Sequence, residues 1–250
     1  MIDLRAEVVA LDIEGTIGSL SHVRDVLFPY ARRRLSGWLH DHAADPRLAE
    51  LLADVRRESG RPELDAAGAQ AALAAWADQD VKAAPLKRLQ GWIWAEGYAD
   101  GSLHGHVYPE VPAALRRWRA DGIRVHTYSS GSAAAQLDWF RHTAHGDLSV
   151  LFGDRFDLEN AGPKGDPESY RRIAGLVGAP AASCVFLSDV GAELDAAARA
   201  GWRSIGVRRE NDPRGPLVPD HITVPDLDAL SLRPAHAPTP DGTLGEVPFA

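Results

Sequence analysis

The sequence predicts an α/β fold in which a parallel sheet is interrupted, directly after its first strand, by an all-helical segment. Three observations predict it. Short apolar runs end abruptly in a charge or a hydroxyl: residues 7–11 before Asp12, 123–128 before Ser129, and 184–187 before Ser188 and Asp189. Strands buried on both faces of a parallel sheet read this way. Segments of helical period separate these runs, the spacing of βαβ units. Between residues 19 and 106 the texture changes to Ala, Leu, Arg and Asp, with few β-branched residues and no good strand candidate.

The first strand is predicted over Glu7–Asp12, with Gly15 and Thr16 turning the chain. In the helical segment, Val26, Leu27, Tyr30 and Leu35 share one helix face, and Leu48, Leu51, Leu52 and Val55 recur at i, i+3, i+4, i+7 on a second. Two further helices are predicted around Ala71–Trp76 and Leu86–Trp94. Pro46, Pro62 and Pro85 stand where helices begin, and Gly60 where one ends. Past His106 the α/β texture returns. A helix over Val111–Asp121 precedes a strand over Ile123–Tyr128. A helix follows from Ala133 to His142, then a short strand over Gly153–Asp157 and a helix over Pro167–Val177. A strand over Cys184–Leu187, a helix over Glu193–Ala200 and strands over Arg203–Val207 and His221–Val224 complete the pattern. The predicted division is therefore a core of residues 1–18 and 107–230, a helical insert of 19–106, and a Pro-rich, flexible tail of 231–250.

Composition excludes several classes of function. The net charge of −8 argues against nucleic acid or an anionic membrane as the main partner. No window is long and uncharged enough to span a bilayer, and acids interrupt the only apolar run at the N-terminus, so neither a transmembrane helix nor a secretory signal is expected. The single cysteine, Cys184, rules out an intramolecular disulfide framework. A cytoplasmic, monomeric protein is the expectation.

In an open parallel sheet, ligands bind beyond the carboxyl ends of the strands. Those ends carry Asp12 and Glu14, then Ser129 and Ser130, then Asp189, with Lys164 in the intervening loop Ala161-Gly-Pro-Lys-Gly-Asp166. Each has an ordinary structural explanation: a turn cap, a helix N-cap, a solvated charge, a helix-dipole partner. Their ordered combination suits a phosphoryl site. Clustered carboxylates repel unless a cation lies between them, and oxygen-only ligands select a hard ion such as Mg²⁺. A carboxylate beside such an ion can attack phosphorus. An ammonium neutralises phosphoryl oxygens, and N–H groups at a helix start favour an anion. Only three of the 27 Lys and Arg residues are lysines, and Lys164 is the one in this set. A compact ammonium is a thing that arginine does not imitate.

Asp12-Ile-Glu-Gly-Thr16, Ser129, Lys164 and Asp189 resemble, in that order, the four motifs of the haloacid dehalogenase superfamily of phosphohydrolases. Glu14 stands where that superfamily usually has Asp. With Asp25-Val-Leu-Phe-Pro-Tyr-Ala31, Leu86-Lys-Arg-Leu-Gln-Gly-Trp-Ile-Trp94, Tyr128-Ser-Ser-Gly-Ser132, Ser169-Tyr170 and Phe186-Leu-Ser-Asp-Val190, the chain is similar to the enolase-phosphatase family of methionine salvage over residues 6–210. It departs where Ile17-Gly-Ser follow Thr16, since that family often has further threonines there.

The resemblance implies a Rossmann-like core carrying the helical insert as a cap. It also implies enolisation and Mg²⁺-dependent dephosphorylation of 2,3-diketo-5-methylthiopentyl 1-phosphate to acireductone, with one Mg²⁺ per chain. On this reading Asp12 is the nucleophile and a metal ligand. Glu14 contributes its backbone carbonyl to the metal and its side chain to proton transfer. Ser129, Ser130 and Lys164 hold the phosphate, and Asp189 completes the metal site. Either Glu193 or Asp195 is a candidate to orient these groups; both also suit solvated helix faces. The cap aromatics Phe28, Tyr30, Trp92 and Trp94 are candidates for the wall against the methylthio tail, although the cap's own core is the stronger reading for each, and His104 and His106 are candidates for a hinge. The alternative is another small-molecule phosphatase of the same superfamily.

Overall fold

The computed structural model describes residues 1–235. In chain order the elements are β1 (Ile2–Ala6), β2 (Val8–Leu11), α1 (Leu20–His22), α2 (Phe28–Asp41), α3 (Pro46–Glu58), α4 (Ala66–Asp78), α5 (Ala84–Ala99), α6 (Val111–Ala120), β3 (Arg124–Tyr128), α7 (Ala133–Arg141), β4 (Arg155–Phe156), α8 (Pro167–Val177), β5 (Cys184–Ser188), α9 (Gly191–Arg199), β6 (Arg203–Val207), β7 (Thr223–Val224) and β8 (Leu230–Pro234). A π-helical turn, Val23–Leu27, joins α1 to α2.

Six strands form one parallel sheet in the order β4-β3-β2-β5-β6-β7. Strand β2 lies between β3 and β5, with Val9 opposite Val125 and Val185, and Leu11 opposite Thr127 and Leu187. The predicted strands at 153–157 and 221–224 shrink to two residues each, at the two edges of the sheet. Alternation of side chains divides the core in two. Val9, Leu11, Val125, Val185, Leu187 and Ile205 pack with Leu115 and Trp118 of α6. Val8, Ala10, Tyr128 and Phe186 pack on the other face with Tyr170 and Ile173 of α8 and Leu194 of α9.

Between β2 and α6 every regular element is helical. Asp45 caps α3 by accepting from the Arg47 N–H at 2.9 Å, and Pro46 opens the helix. Pro62, by contrast, starts nothing; α4 begins after Asp65, which accepts from the Gly68 N–H at 2.7 Å. Leu35, Leu51, Val55, Leu73, Leu89 and Ile93 bury their side chains between these helices. Each such side chain contributes about 1.5–3 kcal/mol by leaving water. The two chain crossings into and out of this segment run side by side. The Ser19 N–H donates to His106 Nδ1 at 3.1 Å, the Tyr108 N–H to the Ile17 carbonyl at 3.1 Å, and Trp139 Nε1 of α7 to the His106 carbonyl at 2.9 Å.

One expectation changes at the C-terminal end. The flexible tail was expected from residue 231, but Leu230–Pro234 is a strand that pairs in parallel with β1, Ile2 opposite Leu230 and Leu4 opposite Leu232. Leu230 and Leu232 are buried against the sheet core, and this burial orders the start of a segment whose prolines and few apolar anchors read as tail. The rest of the expected tail, 236–250, lies outside the described residues. No helix among the described residues is long and apolar enough to cross a membrane.

Candidate active site

The carboxyl ends of β2, β3 and β5 place Asp12, Ser129 and Asp189 at one edge of the sheet. The Asp12 N–H continues the strand ladder by donating to the Leu187 carbonyl at 2.9 Å, which fixes the start of the turn. Gly15 then adopts φ +87°, and a Cβ there would collide with the Asp189 carboxylate. Glycine is required by both backbone conformation and space.

Lys164 reaches this edge from the loop before α8. Its Nζ lies 2.5 Å from Asp12 Oδ1 and 2.8 Å from Glu193 Oε2, with the side chain 7% exposed. The loop is held rigid from behind. Tyr170 Oη donates to the Lys164 carbonyl at 2.8 Å, Tyr128 Oη to the Gly162 carbonyl at 2.7 Å, and Ser169 Oγ to the Pro163 carbonyl at 2.8 Å. Of the two acids that follow Asp189, the structure brings in Glu193 and leaves Asp195 paired with His221, 3.2 Å away at the surface. Ser188 Oγ donates to Glu193 Oε2 at 2.8 Å, so Glu193 is fixed from two sides.

On the other side, Ser129 Oγ donates to Glu14 Oε2 at 3.1 Å and accepts from the Gly131 N–H at 3.0 Å. Ser130, next in the chain, is exposed and makes none of these contacts. Asp157 secures the turn by accepting from the Ala133 N–H at 2.8 Å. Thr16, read from the sequence as a turn residue that closes the first motif but given no role of its own, is central: its Oγ1 lies 3.2 Å from Asp12 Oδ2 and 3.4 Å from Asp189 Oδ1, and it accepts from the Asp189 N–H at 3.0 Å. Sequence reasoning also missed two arginines after β6. Arg209 forks onto the Thr16 carbonyl at 2.8 and 2.6 Å, reaches Glu110 at 2.5 Å and covers the Tyr108 ring. Arg214 pairs with Asp189 and with Asp212. Arg209 stands two residues past the carboxyl end of β6, a strand end that the sequence reading left without a candidate, whereas Arg214 lies farther along the loop, where nothing local marks it.

The electrostatics follow from burial. Loss of water pushes the Asp12 carboxyl up to about 6; Lys164 opposes that, while Glu193 and Glu14 add to it. Burial disfavours charge on Lys164, but Asp12 and Glu193 outweigh it and hold the ammonium above the ordinary lysine value. Lys164 therefore keeps the proton and Asp12 is the carboxylate of the pair. Burial also raises Asp189, and repulsion from Asp12 adds to this, against the pull of Arg214.

Among the described residues no three carboxylate, imidazole or thiolate side chains converge closely enough to hold a metal ion. The donor chemistry nevertheless fits a hard cation: Asp12 and Asp189 are two buried carboxylates linked by one hydroxyl, and the charge of Asp12 adds to the rise that burial imposes on Asp189. Such an ion takes its remaining ligands from carbonyls, water and substrate oxygens. Of the aromatics in the helical segment, Tyr30 is buried and the half-buried Trp92 stacks on Trp38, as members of that segment's own core, whereas Phe28 is exposed beside the half-buried Trp94.

This fold and site define a class, and comparison with known proteins agrees. The haloacid dehalogenase-like hydrolase family matches residues 6–201, and the chain belongs to that family. Within it, the chain is 51% identical to enolase-phosphatase E1 of Streptomyces avermitilis over 205 residues, covering 82% of this chain and 86% of that one. It is 48% identical to enolase-phosphatase E1 of Frankia alni, covering 91% and 96%. Among solved structures, the UTR4 protein of Saccharomyces cerevisiae superposes with a TM-score of 0.73 at 30% identity, covering 88% of this chain and 98% of that one. CbbY of Rhodobacter sphaeroides, at 16% identity and a TM-score of 0.60, shares the fold.

Proposed function

We propose that this hydrolase is an enolase-phosphatase of methionine salvage, converting 2,3-diketo-5-methylthiopentyl 1-phosphate to acireductone and phosphate. The enolase-phosphatase relatives at about half identity support the activity. The observation that carries the chemistry is the Asp12 carboxylate, buried and held by Lys164 at 2.5 Å with Glu14 two residues on.

In this reading Glu14 moves a proton from the carbon next to the keto group, so that the diketone becomes an enol still bearing its phosphate. Asp12 then attacks phosphorus; the P–O bond to the enol breaks and its electron pair leaves with the enediol oxygen. Water hydrolyses the aspartyl-phosphate and restores Asp12. Ser129, Ser130 and Lys164 bind phosphoryl oxygens, and Glu193 holds Lys164 in place. Asp12, Asp189 and the Glu14 backbone carbonyl would hold one Mg²⁺, which supplies charge neutralisation at the phosphoryl group and polarisation of the substrate oxygen. The helical segment 19–106 acts as a cap over the strand ends. The partner is a small phosphorylated metabolite, and the chain works as a cytoplasmic monomer.

The experiment is to supply the diketo phosphate with Mg²⁺ and follow enediol absorbance and phosphate together. Both signals are expected, and chelation abolishes both. Phosphate without enediol would leave an ordinary phosphatase of the family. Asp12→Asn loses about 10⁴-fold or more in turnover. Glu14→Gln binds substrate but forms neither enol nor phosphate at the normal rate.

A further inference from the structure

Arg214 occupies a place that the reaction outlined above does not use. Its Nη2 bridges Asp189 Oδ2 and Asp212 Oδ2, the latter at 2.7 Å. Its Nε and its backbone N–H both donate to Asp212 Oδ1 at 2.9 Å. The Asp189 side chain is 1% exposed and that of Arg214 40%. A half-exposed guanidinium thus reaches in from solvent to a fully buried carboxylate, one of the two that the proposed function gives to the metal.

A guanidinium keeps its charge at any working pH, so it leaves a carboxylate only by moving. A small dication and a guanidinium bound to the same carboxylate repel strongly in a site with little water. Arg214 has somewhere to go. Beside Gly15 lies a cavity of about 160 Å³, lined by Ser19, Leu20, Ser21, Tyr108 and residues 209–213, among them Arg209, whose guanidinium is already committed to the Thr16 carbonyl and Glu110. Glu210, Asn211 and Asp212 supply it with acceptors for a guanidinium. Asp212 keeps Arg214 tethered, since three of its contacts do not involve Asp189.

We propose that Arg214 is an internal counter-ion that competes with the divalent metal for Asp189, and that metal entry releases it into the adjoining cavity while Asp212 retains it. The inference rests on the reading of Asp189 as a metal ligand. Metal-free protein keeps its buried acid neutralised, at the cost of weaker metal binding, and the loop after β6 senses whether metal is present.

The test is titration of metal-stripped protein with Mg²⁺ by calorimetry and with Mn²⁺ by electron paramagnetic resonance, neither of which needs turnover. Arg214→Gln is expected to bind either ion about tenfold more tightly. Arg214→Lys, which keeps a cation, stays close to wild type. Unchanged or weaker binding by Arg214→Gln overturns the proposal, as does equal tightening in both variants, since charge would then not be the cause. If Arg214→Gln fails to fold, Arg214→Met, which also removes the guanidinium and keeps an unbranched side chain, carries the same expectation. Asp189→Asn separates the two levels of argument. If it binds metal as wild type does, the reading of the metal site fails. If it loses metal while Arg214→Gln changes nothing, only the competition fails.

Discussion

The sheet edge and the helical segment treat charge in opposite ways. At the edge, buried charges are paired across distant parts of the chain: Lys164 with Asp12 and Glu193, the buried Asp189 with the half-exposed Arg214, Arg209 with Glu110. In the helical segment, charges pair at the surface, as Arg32 with Asp78 and Arg47 with Asp45, and the interior is apolar. Burying an ion costs several kcal/mol even after relaxation, so a fold does it only where something is gained. The difference separates two uses of charge: the core gives up stability to hold a buried ionic cluster at its strand ends, and the helical segment keeps its charges in water around an apolar interior.

The sharpest way to break this comparison is Lys164→Arg. Charge is retained, but the compact ammonium fits between Asp12 Oδ1 at 2.5 Å and Glu193 Oε2 at 2.8 Å, where a planar guanidinium does not. The expected loss in kcat/KM is about 10²–10³-fold, the scale of removing one preorganised stabilising group. Activity near wild type would mean that the site needs only a positive charge there.

The converse is Leu51→Ala in α3. Leu51 is fully buried among the helices of the insert and touches none of the reactive groups. The expected cost is about 2–5 kcal/mol of stability. It is measured by denaturant unfolding, with kcat/KM of the folded protein unchanged at low temperature. A fall in kcat/KM without loss of stability would show that the two regions are coupled more closely than their charges suggest.

These contrasts also explain what the sequence made legible. Asp12, Ser129 and Asp189 follow apolar strands directly, so the rule that ligands bind at strand ends finds them. Lys164 emerges from its order between them and from the scarcity of lysine. Thr16 escaped because its hydroxyl gains its place from the fold, which brings Asp189, 173 residues later, up to both Thr16 and Asp12. Glu193 carried a weak signal, an acid four residues after Asp189 on the first turn of α9, and only packing separates it from Asp195. Strands β1 and β8 were not legible because each is short and half polar, and their pairing joins the start of the chain to residues beyond 229. The short first helix, with its π-helical turn, and the packing of Tyr30 and Trp92 within the helical segment are decisions of tertiary packing, to which helical periodicity alone is blind.

The smallest expected effect is the most direct probe of the opening contrast. Arg32 and Asp78 form a bidentate pair at 2.7 and 2.9 Å, nearly the length of the Lys164–Asp12 contact, and they link α2 to α4. By geometry alone the two pairs look equivalent. Solvent makes them different: Arg32 and Asp78 are 42% and 56% exposed, so water screens their attraction and ordering two mobile side chains offsets most of it. Arg32→Gln is therefore expected to leave melting temperature and turnover unchanged within measurement, and raising the salt concentration should make no further difference to the variant relative to wild type. A clear loss of stability would place this pair with the buried ones and would mean that the helical segment, too, depends on specific charge pairing.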